Sequence, residues 1–70
     1  MSYKAEIKAV GESSYNSNGL RFATAQEAKD YADELLSRWF GAESYRIIES
    51  EDLVNYTFNY DLGKARPIEI

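Results

Sequence analysis

The chain contains no cysteine and no histidine, one proline and four glycines. Without cysteine there are no disulfide staples, no thiolate nucleophile and no structural zinc of the usual kinds. Without histidine the commonest acid–base side chain and metal ligand is missing as well. Long apolar runs are also lacking: the longest clusters, such as Trp39-Phe40 and Ile47-Ile48, are dipeptides, far short of the ~20 residues that span a bilayer. Met1 to Glu6 shows no apolar signal segment and carries an early acid. Ser2 stands where myristoylation requires glycine, and no cysteine is available for prenylation. The expectation is a soluble protein of the cytoplasm. What is present fits one small domain over residues 1–70, with 44% hydrophobic, 29% charged and 14% aromatic residues. The net charge of −4 favours solubility and decides little else.

Tyr3, Ala5, Ile7 and Ala9 alternate with Lys4, Glu6 and Lys8, a period of two that reads as a half-buried strand. Gly11 to Gly19 is dense in turn formers and ends on Asn18-Gly19, and Leu20-Arg21-Phe22 resumes the alternation as a short second strand. Thr24-Ala25-Gln26-Glu27 is a capping box. It opens a helix whose apolar face is Ala28, Tyr31, Ala32, Leu35, Leu36, Trp39 and Phe40. Lys29–Asp33 and Glu34–Arg38 are i,i+4 pairs on the polar face, and Gly41 suits the helix end. Tyr45 to Glu49 and Val54 to Tyr60 read as two further strands around the polar turn Ser50-Glu51-Asp52. Residues 61–70 contain Pro67 and fit a short edge strand or tail.

The order strand, strand, helix, strand, strand predicts an α+β, two-layer ββαββ domain: a four-stranded, mostly antiparallel sheet with one helix on one face. The expected core is Tyr3, Ile7, Leu20, Phe22, Leu35, Leu36, Trp39, Phe40, Ile47, Tyr56 and Phe58. A core of this size supplies only about 3–5 kcal/mol. Self-association through an exposed strand edge, giving a homodimer, is therefore a natural expectation.

Catalysis is the least favoured function class. Ser13, Ser14 and Ser17 sit in a turn that cannot preorganise a nucleophile, and no histidine is available as a base. Glu49, Glu51 and Asp52 lack the glycine and alternate spacing of a calcium loop, and the scattered glycines build no phosphate loop. The residues read as a non-enzyme with no cofactor and no metal.

Nucleic-acid binding is the more interesting alternative. If the apolar strand residues face the helix, the other sheet face shows Lys4, Lys8, Arg21, Arg46 and Thr57, opposed there by Glu6. Four bases on an open sheet suit phosphates, but the strand aromatics that would stack bases point inward. A solvated outer face is the plainer reading of the same residues. Residues 25–52 hold eight acids against three bases, too sparse an array for a nucleic-acid mimic. Tyr15 and Tyr60 are candidates for a protein-contact patch. Trp39 reads as a core anchor, Arg38 as a helix-end cation, and Asn55 and Asn59 as outward strand positions.

Leu20-Arg21-Phe22-Ala23-Thr24, Glu27-Ala28, Tyr31, Leu35-Leu36, Arg38-Trp39, Arg46, Glu49 and Val54-Asn55-Tyr56 together resemble small uncharacterised proteins of tailed bacteriophages and prophages. The likeness covers roughly residues 3–58, and the Ser/Asn loop at 13–18 is longer than the hairpins usual in that group. No activity or site residue is assigned there. The resemblance implies an origin, a phage gene with an accessory role in the host cytoplasm. Small phage proteins without catalytic residues act by binding a host or viral protein, so the leading expectation is a non-catalytic protein-interaction module. The alternative is a weak nucleic-acid binder using Lys4, Lys8, Arg21 and Arg46, and a structural virion component is a third reading.

Overall fold

In the computed structural model, which describes residues 1–38 and 40–68, the alternating N-terminal segment forms β1 (Ser2–Ala9). It pairs antiparallel with β3 (Ala42–Ser50), from Ser2 opposite Ser50 to Lys8 opposite Ser44. A register shift after Lys8 places Ala9 opposite Ala42, leaving Glu43 as the extra residue of a bulge. The period of two separates the faces. Ala5, Ile7, Tyr45 and Ile47 turn to the core, while Lys4, Glu6, Lys8, Ser44, Arg46 and Ile48 share the outer face.

The helix α1 (Ala25–Arg38) lies against β1 and β3. Its start follows the capping box in part. The Thr24 hydroxyl oxygen accepts the Glu27 N–H at 3.1 Å, but Glu27 does not reach back to the Thr24 backbone. Its carboxylate accepts from the Thr24 hydroxyl at 3.3 Å, the Thr57 hydroxyl at 2.9 Å and the Phe58 N–H at 3.1 Å. One side chain therefore caps the helix and ties it to a strand.

The expectation of a single four-stranded sheet is corrected. There are five strands in two antiparallel sheets, ordered β2-β1-β3 and β4-β5. The second strand is broken. Asn16–Ser17 forms the two-residue β2 against Ile7 and Glu6, and Phe22 meets Tyr3 in an isolated bridge. Between them, polar groups divert the backbone from the ladder. Asn18 accepts the Leu20 N–H at 3.0 Å, and Arg21 donates to the carbonyls of Asn18 and Leu20 at 2.7 and 3.1 Å.

The Arg21 carbonyl instead accepts from Asn55 and Tyr56 at 3.0 Å each, which joins the two sheets. The second sheet is a hairpin of β4 (Tyr56–Asn59) and β5 (Lys64–Pro67), so Val54, Asn55 and Tyr60 fall outside the strand expected there. Its turn ends at Gly63, whose φ of 67° is the left-handed value glycine tolerates. Pro67 stands opposite Tyr56, whose N–H is turned to Arg21, so the missing proline N–H costs no ladder bond.

The core is Phe22, Phe58 and Tyr31 with Ala5, Ala28 and Ala32. The alanines let α1 approach the sheet closely, and Phe22, fully buried, fills the space between. Its ring lies 5.4 Å from that of Tyr31 and 6.4 Å from that of Tyr56. Tyr3, Ile7, Leu20, Leu35, Ile47 and Tyr56 pack around this centre as expected, and Leu36 is half-buried. Phe40 does not join it. The helix ends at Arg38, its periodicity no longer governs position 40, and Phe40 is 100% exposed. The expected anchor Trp39 lies outside the described residues, as do the last two positions of the tail.

Candidate interaction edge and charged outer face

The four basic residues singled out by the alternation do gather on one side of the molecule, but with more acids than expected. Arg46 donates to Glu6 at 2.7 Å and Lys4 lies 3.7 Å from the same carboxylate. Lys8 lies 3.7 Å from Glu43, and Arg21 donates to Asp52 at 2.9 Å. The Arg21 hydrogen bond, joined by one from Ser50, holds the Asp52 carboxyl below its usual range, with Lys4 adding a weaker pull. This face is thus a mixed-charge network and not a bare basic strip. Glu43 and Asp52 enter it from the bulge and from the turn after β3, positions that strand alternation alone does not assign to a face.

One aromatic side chain also reaches this face. The Arg46 guanidinium carbon lies 4.3 Å from the centre of the Tyr15 ring, and the hydroxyls of Tyr15 and Ser44 share a hydrogen bond of 3.1 Å. Tyr60 is held elsewhere, donating to Asp30 of α1 at 2.6 Å, so the two tyrosines form no common patch. Thr57 is likewise turned to Glu27 and not to the outer face. Asn55 accepts the Arg21 N–H at 2.7 Å and donates to the Gly19 carbonyl at 2.8 Å. Asn59 accepts the N–H groups of Asp61 and Leu62 at 2.9 and 3.0 Å. Both asparagines are joints of the fold.

On the helix side, aspartates of α1 receive Tyr45 of β3 and Tyr60 of the turn after β4. Tyr45 of β3 donates to Asp33 at 2.7 Å, and Lys29 donates to the same carboxylate at 2.8 Å. These bonds, Lys29 first, hold the Asp33 carboxyl low. The Tyr45 phenol is pushed up by its bond to the Asp33 carboxylate and by burial, against the opposing pull of the Lys29 cation. The Asp30 carboxylate pushes the Tyr60 phenol up to about 12.

The backbone presents the most distinctive feature. Tyr3 exchanges its N–H and carbonyl bonds with Phe22, at 2.8 Å each, so odd residues of β1 point away from β3 and even ones point toward it. The antiparallel register then makes Ser44, Arg46, Ile48 and Ser50 the residues of β3 that bond to β1. Tyr45, Ile47 and Glu49 turn their N–H and carbonyl groups outward, where no neighbouring strand lies among the described residues. Other borders are closed or short. The edge of β4 facing the core is capped by the Arg21 carbonyl and the Glu27 carboxylate. The outer strand β5 has four residues and ends on Pro67, and β2 has two. The open edge of β3 was not apparent from side-chain alternation, because which backbone groups face out depends on which strand flanks β1.

A shallow pocket of about 240 Å³ lies under the Gly11–Gly19 loop, floored by Ala5, Ile7 and Leu35 and rimmed by Glu12 and Asn16. It is smaller than the roughly 300 Å³ at which small-molecule sites begin, and its polar rim is exposed. Among the described residues no helix is long and apolar enough to cross a membrane. Comparison with protein-family models, curated proteins and solved structures finds no match to this chain.

Proposed function

We propose that this chain is a non-catalytic protein-interaction module, a small accessory protein of the phage kind that works in the cytoplasm of a host cell by binding a host or viral protein. The observation that carries this reading is the open edge of the nine-residue strand β3, which contains no proline and whose outward backbone groups meet no strand among the described residues. Such an edge recognises an extended segment by strand addition, main-chain bonds giving affinity and flanking side chains giving selectivity. Glu49→Pro tests it cleanly. Glu49 is exposed and its N–H points outward, so proline there removes an edge donor without breaking the ladder to β1. Capture from infected-cell lysate should retain a protein on the wild type that is lost on the variant. A chain that stays monomeric and captures nothing overturns the reading.

The alternative is a weak nucleic-acid binder, favoured by Lys4, Lys8 and Arg46 sharing the outer face, with Arg46 over the Tyr15 ring. It predicts salt-sensitive binding of labelled DNA or RNA that disappears when Lys4, Lys8, Arg21 and Arg46 become Ala. Weighing against it, each of the four already has a carboxylate within 4.0 Å.

A further inference from the structure

We infer that the partner of the β3 edge is a second copy of this chain, joined by antiparallel β3–β3 pairing in a register centred on Ile47. This inference rests on the part of the interaction-module reading that makes the β3 edge a strand-addition site, and it takes the occupant of that edge to be the chain itself in place of a host or other viral protein. A two-fold axis perpendicular to the sheet keeps equivalent faces together, so outward-facing residues must pair with outward-facing residues. Only a few registers of β3 then remain, and charge and geometry separate them.

Centring on Arg46 sets Arg46 directly against its own copy and each Glu43 against a Glu49, and like charges directly opposite are destabilising. Centring on Tyr45 requires Glu43 to pair with Ile47, but Glu43 is the bulged residue, where the strand leaves its regular line. Centring on Ile48 pairs Ile47 with Glu49 but sets Tyr45 against Glu51, beyond the end of β3, whereas centring on Ile47 uses only the regular part of the strand. Ile47 then exchanges both backbone bonds with Ile47 of the second copy, and Tyr45 does so with Glu49 on either side. Every outward group of Tyr45, Ile47 and Glu49 finds a partner. On the outer face each Ile48 lies across from the aliphatic stem of an Arg46, and no like charges stand directly opposite within the strand. Ile47, half-buried beside the small core, gains an apolar neighbour from the other chain. The two sheets become one continuous sheet of six strands.

The cysteine-free chain makes the register directly testable. At the centre of an antiparallel hydrogen-bonded pair the Cα atoms stand about 5.5 Å apart, within disulfide range. The full-length Ile47→Cys variant should therefore cross-link into a dimer under mild oxidation, whereas Tyr45→Cys and Glu49→Cys singly should not. Sedimentation equilibrium should show a concentration-dependent dimer of the wild type. Glu49→Pro should raise its dissociation constant by about tenfold or more, with circular dichroism confirming that the monomer remains folded. Hydrogen exchange adds a readout without mutation: the amides of Tyr45, Ile47 and Glu49 should gain protection as concentration rises, while that of Arg46 stays protected throughout. Cross-linking at Tyr45→Cys instead overturns the register. A wild type that is monomeric at every concentration, with no cross-link at position 47, overturns self-pairing. In that last case a lysate protein lost on Glu49→Pro would still leave the interaction-module reading standing.

Discussion

Phe22 and Phe40 are the same side chain in opposite surroundings, 0% and 100% exposed, and they set the range of what a single substitution does here. Phe22→Ala removes the ring that fills the space between α1 and the sheet, at a cost of about 3–5 kcal/mol. That equals the whole stability expected of a core this small, so the variant should lack a cooperative urea transition by circular dichroism. Phe40→Ser should change the unfolding free energy by no more than about 0.5 kcal/mol. Tyr60 gives a second residue-scale prediction. Its phenol pKa rises from 10.0 to about 12 because Asp30 holds the protonated form. A pKa raised in the folded state means that this contribution is fully present below pH 10.0 and is lost as the pH climbs through about 12. Tyrosinate absorbance should therefore show late-titrating phenols, of which Asp30→Asn brings one back toward its ordinary range.

At the scale of elements, the helix start and the second sheet are a single unit through Glu27. Thr24→Ala removes an N-cap acceptor and should cost about 1 kcal/mol. Glu27→Ala strips the Phe58 N–H of its acceptor as well and should cost about 1–3 kcal/mol, with Glu27→Gln intermediate because it keeps a carbonyl oxygen. The double variant should fall short of the sum, since the two side chains share a hydrogen bond. Urea melts with unchanged slope would establish each value. The helix was legible in advance because its cap and apolar spacing are local. The use of Glu27 on β4 was not, because the Thr57 hydroxyl and the Phe58 N–H come from thirty or so positions away. The broken second strand has the same cause. Leu20-Arg21-Phe22 has the right alternation, but Asn55 and the groups around Asn18 take its backbone partners.

Over the whole molecule, charge is distributed as surface pairs, partly shielded at Lys4, Glu6 and Arg21, rather than as a field of one sign. Arg46–Glu6, Lys4–Glu6, Lys8–Glu43 and Arg21–Asp52 lie along one side, and Lys29–Asp33 and Glu34–Arg38 run along α1. Surface pairs of this kind contribute about 0–1 kcal/mol each and are screened by salt. Thermal melts should accordingly shift little between low and physiological salt. A large fall in midpoint would mean that the outer network carries more of the fold than its exposure implies. The expectation of four strands around one helix was right in class and wrong in layout, since the chain closes into two sheets joined at Arg21.

By itself the amino-acid sequence determined the α+β class, the cap and apolar face of α1, the sidedness of β1 and most of the large side chains around the core. All of these follow from periodicity and short-range hydrogen bonding. Tertiary structure alone decided that Phe40 faces solvent, that Glu43 and Asp52 meet the candidate bases, and that no strand among the described residues covers the backbone groups of Tyr45, Ile47 and Glu49. Those outcomes depend on which strand lies beside which. Pairing register is set by contacts between distant segments, and a side chain's type carries no record of where its own N–H points.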